Sequence, residues 1–214
     1  MEGRGTVHFP PIESADTNGL LAVGGNLGPK TLITAYKLGI FPWYSEYEPI
    51  HWWCPDPRFV LFPREMHVSR SMDKIFRKHQ FQFKINSAFR EVIRQCRTTF
   101  RKDQDGTWIT PEIEAAYTRL YELGYAHSAE AWQDKLLVGG IYGVRLGKVF
   151  FGESMFSKKS NASKFAFINL VRNLQADGLE LVDCQVYSEH LETLGARMIT
   201  RSEFRKKLDI LTIS

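Results

Sequence analysis

Three side chains that can handle protons and charge lie in two apolar segments of the C-terminal half. In LELVDCQV, strand alternation places Leu181, Asp183 and Gln185 on one face. In KVFFGESMFS, Glu153 is a lone carboxylate in a second apolar segment. A single buried acid of this kind is more simply a structural carboxylate satisfied by backbone donors or an arginine. Two acids and an amide together favour a site that takes a proton from an amine or holds a cation.

The charge of the chain is unevenly distributed. The 214 residues carry a formal net charge of +4, but residues 58–102 hold 12 basic and three acidic residues, a net +9. Such a stretch attracts a polyanion and contacts its phosphates. Arg90, Arg94 and Arg97 lie on the polar face of a predicted helix and are our candidates for phosphate contacts. The alternative is a solvated surface that happens to be basic.

Four tryptophans offer flat surfaces on which nucleotide bases stack: Trp43, Trp52, Trp53 and Trp108. The alternative for most of them is packing in the core. Trp108 comes just before a predicted helix cap at Thr110, which favours a surface role for it.

Composition excludes several classes of protein. A hydrophobic fraction of 43% and a charged fraction of 24% are typical of a globular domain and exclude a disordered or collagen-like chain. The three cysteines lie far apart without a C-x-x-C motif, and the histidines lack metal-ligand spacing, so we expect no metal or other cofactor. The sparse cysteines, the absence of an apolar leader and the shortness of every apolar run predict a cytoplasmic protein without a membrane segment.

The elements that must position these residues divide into two regions. Residues 1–62 contain a glycine-rich turn, a helix over 30–38 ended by Gly39, and aromatic segments whose prolines indicate turns and edge strands. We predict that they form a small N-terminal domain beside a larger domain of residues 63–214.

The larger region has a readable order of strands and helices. Apolar periodicity predicts six strands, at 81–85, 126–132, 136–144, 149–155, 179–186 and 196–200. Two predicted helices lie between the first and second strands, one follows the fourth strand, and one follows the fifth. Short polar turns make the three central strands an antiparallel meander. The order is that of the N-acetyltransferase-like α+β fold, a mixed sheet flanked by helices.

Short motifs spread from about Asn18 to about Arg201 carry a family resemblance. They are NGLLAVGGNL, AYKLGIFPWYS, IHWWCPDPR, GTWIT, YAHSAEAW, LVGGIYGV, FFGESMFS, NASK, LVDCQV and HLETLGA. Together they closely resemble the bacterial leucyl/phenylalanyl-tRNA–protein transferases. The resemblance implies an aminoacyltransferase that moves Leu, Phe or Met from aminoacyl-tRNA to the N-terminal α-amine of proteins beginning with Arg or Lys, which creates a degradation signal.

The resemblance also implies roles for individual residues. The catalytic residues would be Asp183, Gln185 and Glu153. The 3′ adenosine and aminoacyl end of the tRNA would be held by Trp43, Trp108, Tyr36 and Tyr117. The apolar side-chain pocket would include Ile141, Phe150 and Phe167. Strict alternation places Phe151, rather than Phe150, on the face of Glu153, and a bulge near Gly152 would reconcile the two.

The reaction that the resemblance implies needs positioning and the management of one proton. We expect Gln185 to hydrogen-bond the acceptor amine, Asp183 to polarise Gln185, and Glu153 to bind the acceptor's basic side chain or ammonium. The ribose hydroxyl of the tRNA is an alternative carrier of the proton. We expect the enzyme to act as a monomer.

Two other functions stay open at this point. One is an acyltransferase of the same fold that uses coenzyme A, although the turn MFSKKSNASK lacks the glycines that usually bind its pyrophosphate. The other is a tRNA-binding module without catalytic activity, in which Asp183 would affect nothing beyond binding.

Overall fold

The structure, a computed structural model, describes residues 8–99 and 109–213. Its N-terminal part is a small antiparallel sheet with the strand order β1-β3-β2. These strands are β1 (Leu20–Val23), β2 (Phe41–Pro42) and β3 (His51–Trp53). Helix α1 (Pro29–Leu38) joins β1 to β2; Pro29 starts it, and Gly39 ends it with a φ of 80°.

A seven-stranded mixed sheet forms the larger part, with the order β10-β4-β9-β8-β7-β6-β5. Its strands are β4 (Arg58–Leu61), β5 (Gln82–Ile85), β6 (Ala126–Gln133), β7 (Leu136–Leu146), β8 (Val149–Ser157), β9 (Leu181–Gln185) and β10 (Arg197–Ile199). Strands β8 and β9 are parallel, and the other neighbouring pairs are antiparallel. The predicted α+β fold with its central meander is confirmed.

Helices cover both faces of this sheet. They are α2 (Arg70–Arg77), α3 (Phe89–Thr98), α4 (Pro111–Glu122), α5 (Ala162–Ala176), α6 (Glu189–Glu192) and α7 (Arg201–Leu211). As expected, Thr110 caps α4, accepting a hydrogen bond from the Ile113 N–H. None of these helices, nor α1, has the length and apolar character needed to cross a membrane.

The sheet separates two hydrophobic cores. Leu181 and Phe151 belong to the core that also contains residues of α1, α3, α4 and α7. Val182 and Phe150 belong to the core on the opposite face, with residues of α2, α5 and α6. The alternation predicted for the LELVDCQV strand is therefore confirmed for Leu181 and Val182, which face opposite cores.

The predicted domain boundary at residue 62 stays a prediction, although strand pairing in the large sheet crosses it. Strand β4 precedes residue 62 and pairs with β9 and β10 of the large sheet. In addition, Phe204 and Leu208 of α7 approach Gly39 at the end of α1. None of β4, α2 and α7 was predicted from the sequence.

Strands β8 and β9 separate at their carboxyl ends. Their pairing stops at Phe151 and Asp183. On the other side of β8, Gly152 pairs with Gly143 but Ser154 pairs with Tyr142, so Glu153 is the extra residue of a β-bulge. A bulge beside Gly152, the irregularity that would reconcile strand alternation with the expected pocket, is thus present, and it opens a cleft between two parallel strands.

Candidate active site

The cleft between β8 and β9 is a cavity of about 460 Å³. Residues 152–157 form one side and residues 182–188 the other, and Phe41 and Pro42 of β2 with the following Trp43 also line it. Glu153, Asp183 and Gln185 all line it, so the three polar residues singled out from the sequence do converge.

Glu153 lies at the bottom of the cleft with 8% of its surface exposed. Its Oε1 accepts hydrogen bonds from the Tyr36 hydroxyl at 2.7 Å and from Gln185 Nε2 at 3.0 Å. Its Oε2 accepts one from the Tyr117 hydroxyl at 3.0 Å. Burial raises the pKa of Glu153 to about 7 despite these three donors, because desolvation disfavours the charged form.

Asp183 is fully buried and paired with an arginine. Arg58 of β4 donates from Nε to Asp183 Oδ1 at 2.8 Å and from Nη2 to Oδ2 at 2.6 Å. The Arg58 guanidinium lies between the rings of Phe41 and Phe204, 4.7 Å from each centroid. Burial alone would lower the Arg58 pKa, but the Asp183 carboxylate outweighs it and the pKa is raised.

Gln185 connects the two acids. Its backbone N–H donates to Asp183 Oδ1 at 2.9 Å, and its side-chain Nε2 donates to Glu153. A φ of +63° turns the backbone at Gln185 out of the strand conformation. Asp183 therefore holds the backbone of Gln185 and does not contact its amide group, in contrast to the polarising contact expected from the sequence. No donor among residues 8–99 and 109–213 contacts the side-chain carbonyl oxygen of Gln185.

The apolar wall of the cavity includes two of the three expected pocket residues. Ile141 and Phe167 line it, with Met155 and Leu191 beside them. Phe150 does not line it: its ring is fully buried beneath Gly143 and Gly152. The bulge turns the Glu153 carboxylate towards Tyr36 and Tyr117 and leaves Phe150 in the opposite core, which corrects the assignment of Phe150 to the pocket.

The aromatic residues expected to hold the tRNA end occupy different environments. Trp43 lines the cavity and is 37% exposed. Tyr36 and Tyr117 are fully buried and do not line it. Because neither ring is accessible, neither can stack on a base in this structure, and both instead hydrogen-bond Glu153. Trp108 lies outside the described residues.

The arginines of the basic stretch are partly matched by acids. On α3, Arg90 pairs with Glu122 at 2.8 Å, Arg94 with Glu91 at 3.5 Å and Arg97 with Glu114 at 3.1 Å. Arg90 and Arg94 remain more than half exposed. Arg58 is buried against Asp183, so one of the 12 basic residues is unavailable to phosphate.

Other groups around the cavity are held in neutral forms. Burial raises the pKa of the Cys184 thiol, which makes it a poor nucleophile. Burial, with Lys164 nearby, lowers the pKa of His190 to about 4. Across the described chain, no group of three or more His, Cys, Asp and Glu could hold a metal ion.

Sequence reasoning missed Arg58 as a member of the site. It counted Arg58 only as part of the basic stretch, although RFVLF places a single arginine in an apolar strand. A buried Asp183 requires a cation or several donors, and a lone arginine in an apolar strand requires an acid. The need of each buried charge for the other was the feature of the sequence that could have predicted the Arg58–Asp183 pair. The stacking on Phe204 had no signal, since α7 was not predicted.

Comparison with known proteins covers nearly the whole chain. The family model for the leucyl/phenylalanyl-tRNA protein transferase matches residues 60–209, and that for its N-terminal domain matches residues 25–56. The chain is 54% identical to the leucyl/phenylalanyl-tRNA–protein transferase of Chromobacterium violaceum, over 92% of this chain and 84% of that protein. It is 57% identical to that of Syntrophus aciditrophicus, over 92% and 82% of the two chains.

Solved structures resemble the chain more distantly. A functionally unknown conserved protein from Staphylococcus epidermidis has a TM-score of 0.46 at 9% identity, covering 85% of this chain and 68% of that one. L-PGS from Bacillus licheniformis has a TM-score of 0.44 at 13% identity, covering 85% and 62%. The family assignment depends on the sequence matches alone. The resemblance inferred from the motifs is confirmed, and the chain belongs to the leucyl/phenylalanyl-tRNA protein transferase family.

Proposed function

We propose that the chain transfers Leu or Phe, and also Met, from aminoacyl-tRNA to the N-terminal α-amine of proteins that begin with Arg or Lys. The relatives' name supports the transfer of leucyl and phenylalanyl groups from tRNA to protein. The observation that carries the proposal here is a single cavity that joins an apolar wall to the Gln185 amide. The acceptor specificity, the use of Met and the creation of a degradation signal in the cytoplasm extend this proposal beyond the relatives' name.

The apolar wall suits the side chain of the transferred amino acid. Ile141, Phe167 and Leu191 offer it contact without a charge. An apolar pocket distinguishes side chains that differ by one methylene by only about 1–3 kcal/mol. Acceptance of Met beside Leu and Phe follows from this weak discrimination, whereas charged side chains are excluded because burial of an unpaired charge is costly.

Gln185 suits the acceptor amine. Its Nε2 is engaged by Glu153, so its carbonyl oxygen is left to accept a hydrogen bond from an N–H of the amine. The amine nitrogen attacks the ester carbonyl carbon, the bond from that carbon to the ribose oxygen breaks, and the amine proton ends on the ribose oxygen. An amide is a poor base, so Gln185 orients the amine and the leaving hydroxyl takes the proton.

The remaining candidate residues bind the tRNA in this proposal. Trp43, at the cavity edge, stacks on the terminal adenosine, to which base stacking contributes about 1–3 kcal/mol. Arg90, Arg94 and Arg97 of α3 contact phosphates of the tRNA. Thr99 follows the last residue of that helix and lines the cavity, so α3 leads towards the site.

Transfer of labelled Leu from Leu-tRNA to a peptide beginning with Arg tests the proposal. We expect label on the Arg peptide and none on the same peptide beginning with Glu. Gln185→Ala should abolish transfer, while Gln175→Ala, an exposed glutamine on α5, should retain it. No transfer by the wild-type protein would refute the proposal. Saturable binding of acetyl-CoA would favour the coenzyme A alternative, and RNA binding with no transfer would favour the binding module.

A further inference from the structure

Three buried side chains beneath Gln185 contact one another in a closed triangle. The Tyr36 hydroxyl contacts the Tyr117 hydroxyl. The same Tyr36 hydroxyl contacts Glu153 Oε1 at 2.7 Å, and the Tyr117 hydroxyl contacts Glu153 Oε2 at 3.0 Å. We call these residues the Tyr–Tyr–Glu triangle. Each of its three oxygen–oxygen contacts needs one proton to be a hydrogen bond.

The number of protons in the triangle fixes the charge of Glu153. Each tyrosine supplies one proton, so an ionised Glu153 leaves two protons for three contacts. One contact would then bring two oxygen lone pairs together in a fully buried place. A protonated Glu153 supplies the third proton.

With Glu153 protonated, every group in the triangle is satisfied. The Tyr117 hydroxyl, which donates to an ionised Glu153, then instead accepts from Glu153 Oε2–H and donates to Tyr36, and Tyr36 donates to Glu153 Oε1. Each hydroxyl then donates once and accepts once. Glu153 Oε1 is the carbonyl oxygen of the acid and keeps a second lone pair, which accepts the hydrogen bond from Gln185 Nε2.

We propose that Glu153 is a neutral carboxylic acid below pH 7 and ionises as the pH rises through neutrality, and that Tyr36 and Tyr117 are positioning residues that hold Gln185 through it. Since the tyrosines keep the acid proton inside the triangle, Glu153 Oε1 always presents a lone pair to Gln185. The amide is thereby fixed with its nitrogen inward and its oxygen towards the amine. This proposal rests on the role of Gln185 in the proposed transfer.

The charges that face the triangle agree with a neutral acid. Asp183 on β9 repels a second negative charge, although Arg58 on β4 matches it, and the Tyr142 hydroxyl on β7 lies near Tyr117. Burial raises the pKa of Glu153 to about 7. Burial and the neighbouring Glu153 also raise the pKa values of Tyr36 and Tyr117, so neither phenol gives up its proton.

The neutral acid has a consequence for the nucleophile. A carboxylate close to the acceptor's α-amine would raise the pKa of that amine and favour the unreactive ammonium. With Glu153 neutral and Asp183 matched by Arg58, the amine meets no net negative charge. This differs from the sequence-based expectation that Glu153 binds the acceptor's ammonium or basic side chain.

Infrared spectroscopy of the whole protein measures the protonation directly. At pH 6 we expect the C=O stretch of a protonated carboxyl group, which disappears in Glu153→Gln and also when the wild-type protein is brought to pH 9. The pH change needs no variant and so does not depend on the folding of Glu153→Gln. The proposal would be overturned if the wild-type protein at pH 6 shows no protonated-carboxyl band that disappears both in Glu153→Gln and at pH 9.

Kinetics of transfer test the positioning role. Tyr117→Phe and Tyr36→Phe should each lower kcat about tenfold, the loss expected for one buried hydrogen bond, with the KM for Leu-tRNA within about twofold of wild type. Tyr121→Phe is the matched control on the same helix: its hydroxyl donates to the Asn86 carbonyl oxygen and lies outside the triangle. It should retain the wild-type kcat.

The outcomes separate this inference from the proposed function. An unchanged kcat in both Tyr36→Phe and Tyr117→Phe, with normal transfer by the wild type, would overturn the positioning role and leave the transferase intact. A wild-type protein that does not transfer Leu but has the Glu153 acid band would refute the function and leave the triangle intact.

Discussion

Removal of Arg58 should cost more stability than removal of any exposed cation. Arg58→Leu leaves Asp183 as an unmatched charge in a fully buried place and breaks two hydrogen bonds of 2.8 and 2.6 Å. Loss of one partner of a buried pair typically costs about 3–5 kcal/mol of the free energy of unfolding. Arg58→Lys keeps the charge but loses the two-point contact and much of the stacking between Phe41 and Phe204. We expect it to cost about 1–3 kcal/mol.

Urea unfolding at pH 7 measures these losses. Lys148→Met is the control, because the Lys148–Glu180 pair is about half exposed on both sides and such pairs contribute about 1 kcal/mol or less. Adding Asp183→Asn to Arg58→Leu should restore part of the loss, since the unmatched charge is then gone. If Arg58→Leu costs no more than Lys148→Met, or if Asp183→Asn restores nothing, the reasoning from the buried pair is refuted.

Three further predictions concern other parts of the molecule. Glu153 has a pKa of about 7 in the folded protein and about 4.5 in the unfolded chain, so its contribution to the free energy of unfolding is present in full below pH 4.5 and is lost as pH rises through 7. The unfolding free energy of wild type relative to Glu153→Gln should therefore fall by about 3 kcal/mol across that range. A difference that does not change with pH would contradict the raised pKa. Gly143→Ala places a Cβ 2.1 Å from the Phe151 carbonyl oxygen and should lower the free energy of unfolding, measured by thermal unfolding, by at least about 2 kcal/mol. Gly152→Ala is the control: its Cβ would have no neighbouring atom nearer than 3.6 Å, and it should cost less than half as much. Equal losses would show that the backbone at the bulge shifts to accommodate the added Cβ. Reversal of three α3 charges, Arg90, Arg94 and Arg97 to Glu, should weaken tRNA binding and flatten its dependence on salt, and an unchanged salt slope would place the tRNA elsewhere.

Sequence reasoning predicted the central elements because their signals are local. The alternation of Leu181, Val182 and Asp183 fixes which side chain faces which core, and Thr110 with Pro111 marks the start of α4. The same alternation showed only that a bulge near Gly152 would be needed to bring Phe150 to the face of Glu153. It was not enough to place the Glu153 carboxylate, because a bulge changes the direction of one side chain without a further mark in the sequence.

The long-range contacts of the site were beyond such reasoning. Arg58 and Asp183 are 125 residues apart, and Tyr36 and Glu153 are 117 apart. Nothing local identifies either pair as partners. Tyr36 and Tyr117 were expected at the substrate from the family resemblance, but an aromatic residue packs in a core more often than it binds a ligand. Their hydroxyl groups, rather than their rings, connect them to the site.

The arrangement of charges explains why an amide rather than an acid is placed to meet the nucleophile. The α-amine has an ordinary pKa near 8, so a small change of environment decides whether it is a neutral nucleophile or an ammonium. A free carboxylate in the cleft would stabilise the ammonium, and a free cation would repel the approach of an Arg or Lys terminus. Arg58 cancels the charge of Asp183 and burial favours the neutral form of Glu153, so both acids shape the position of Gln185 while imposing little negative charge on the amine. The two acids therefore act as supports, and the uncharged carbonyl oxygen of Gln185 is the group left to orient the amine.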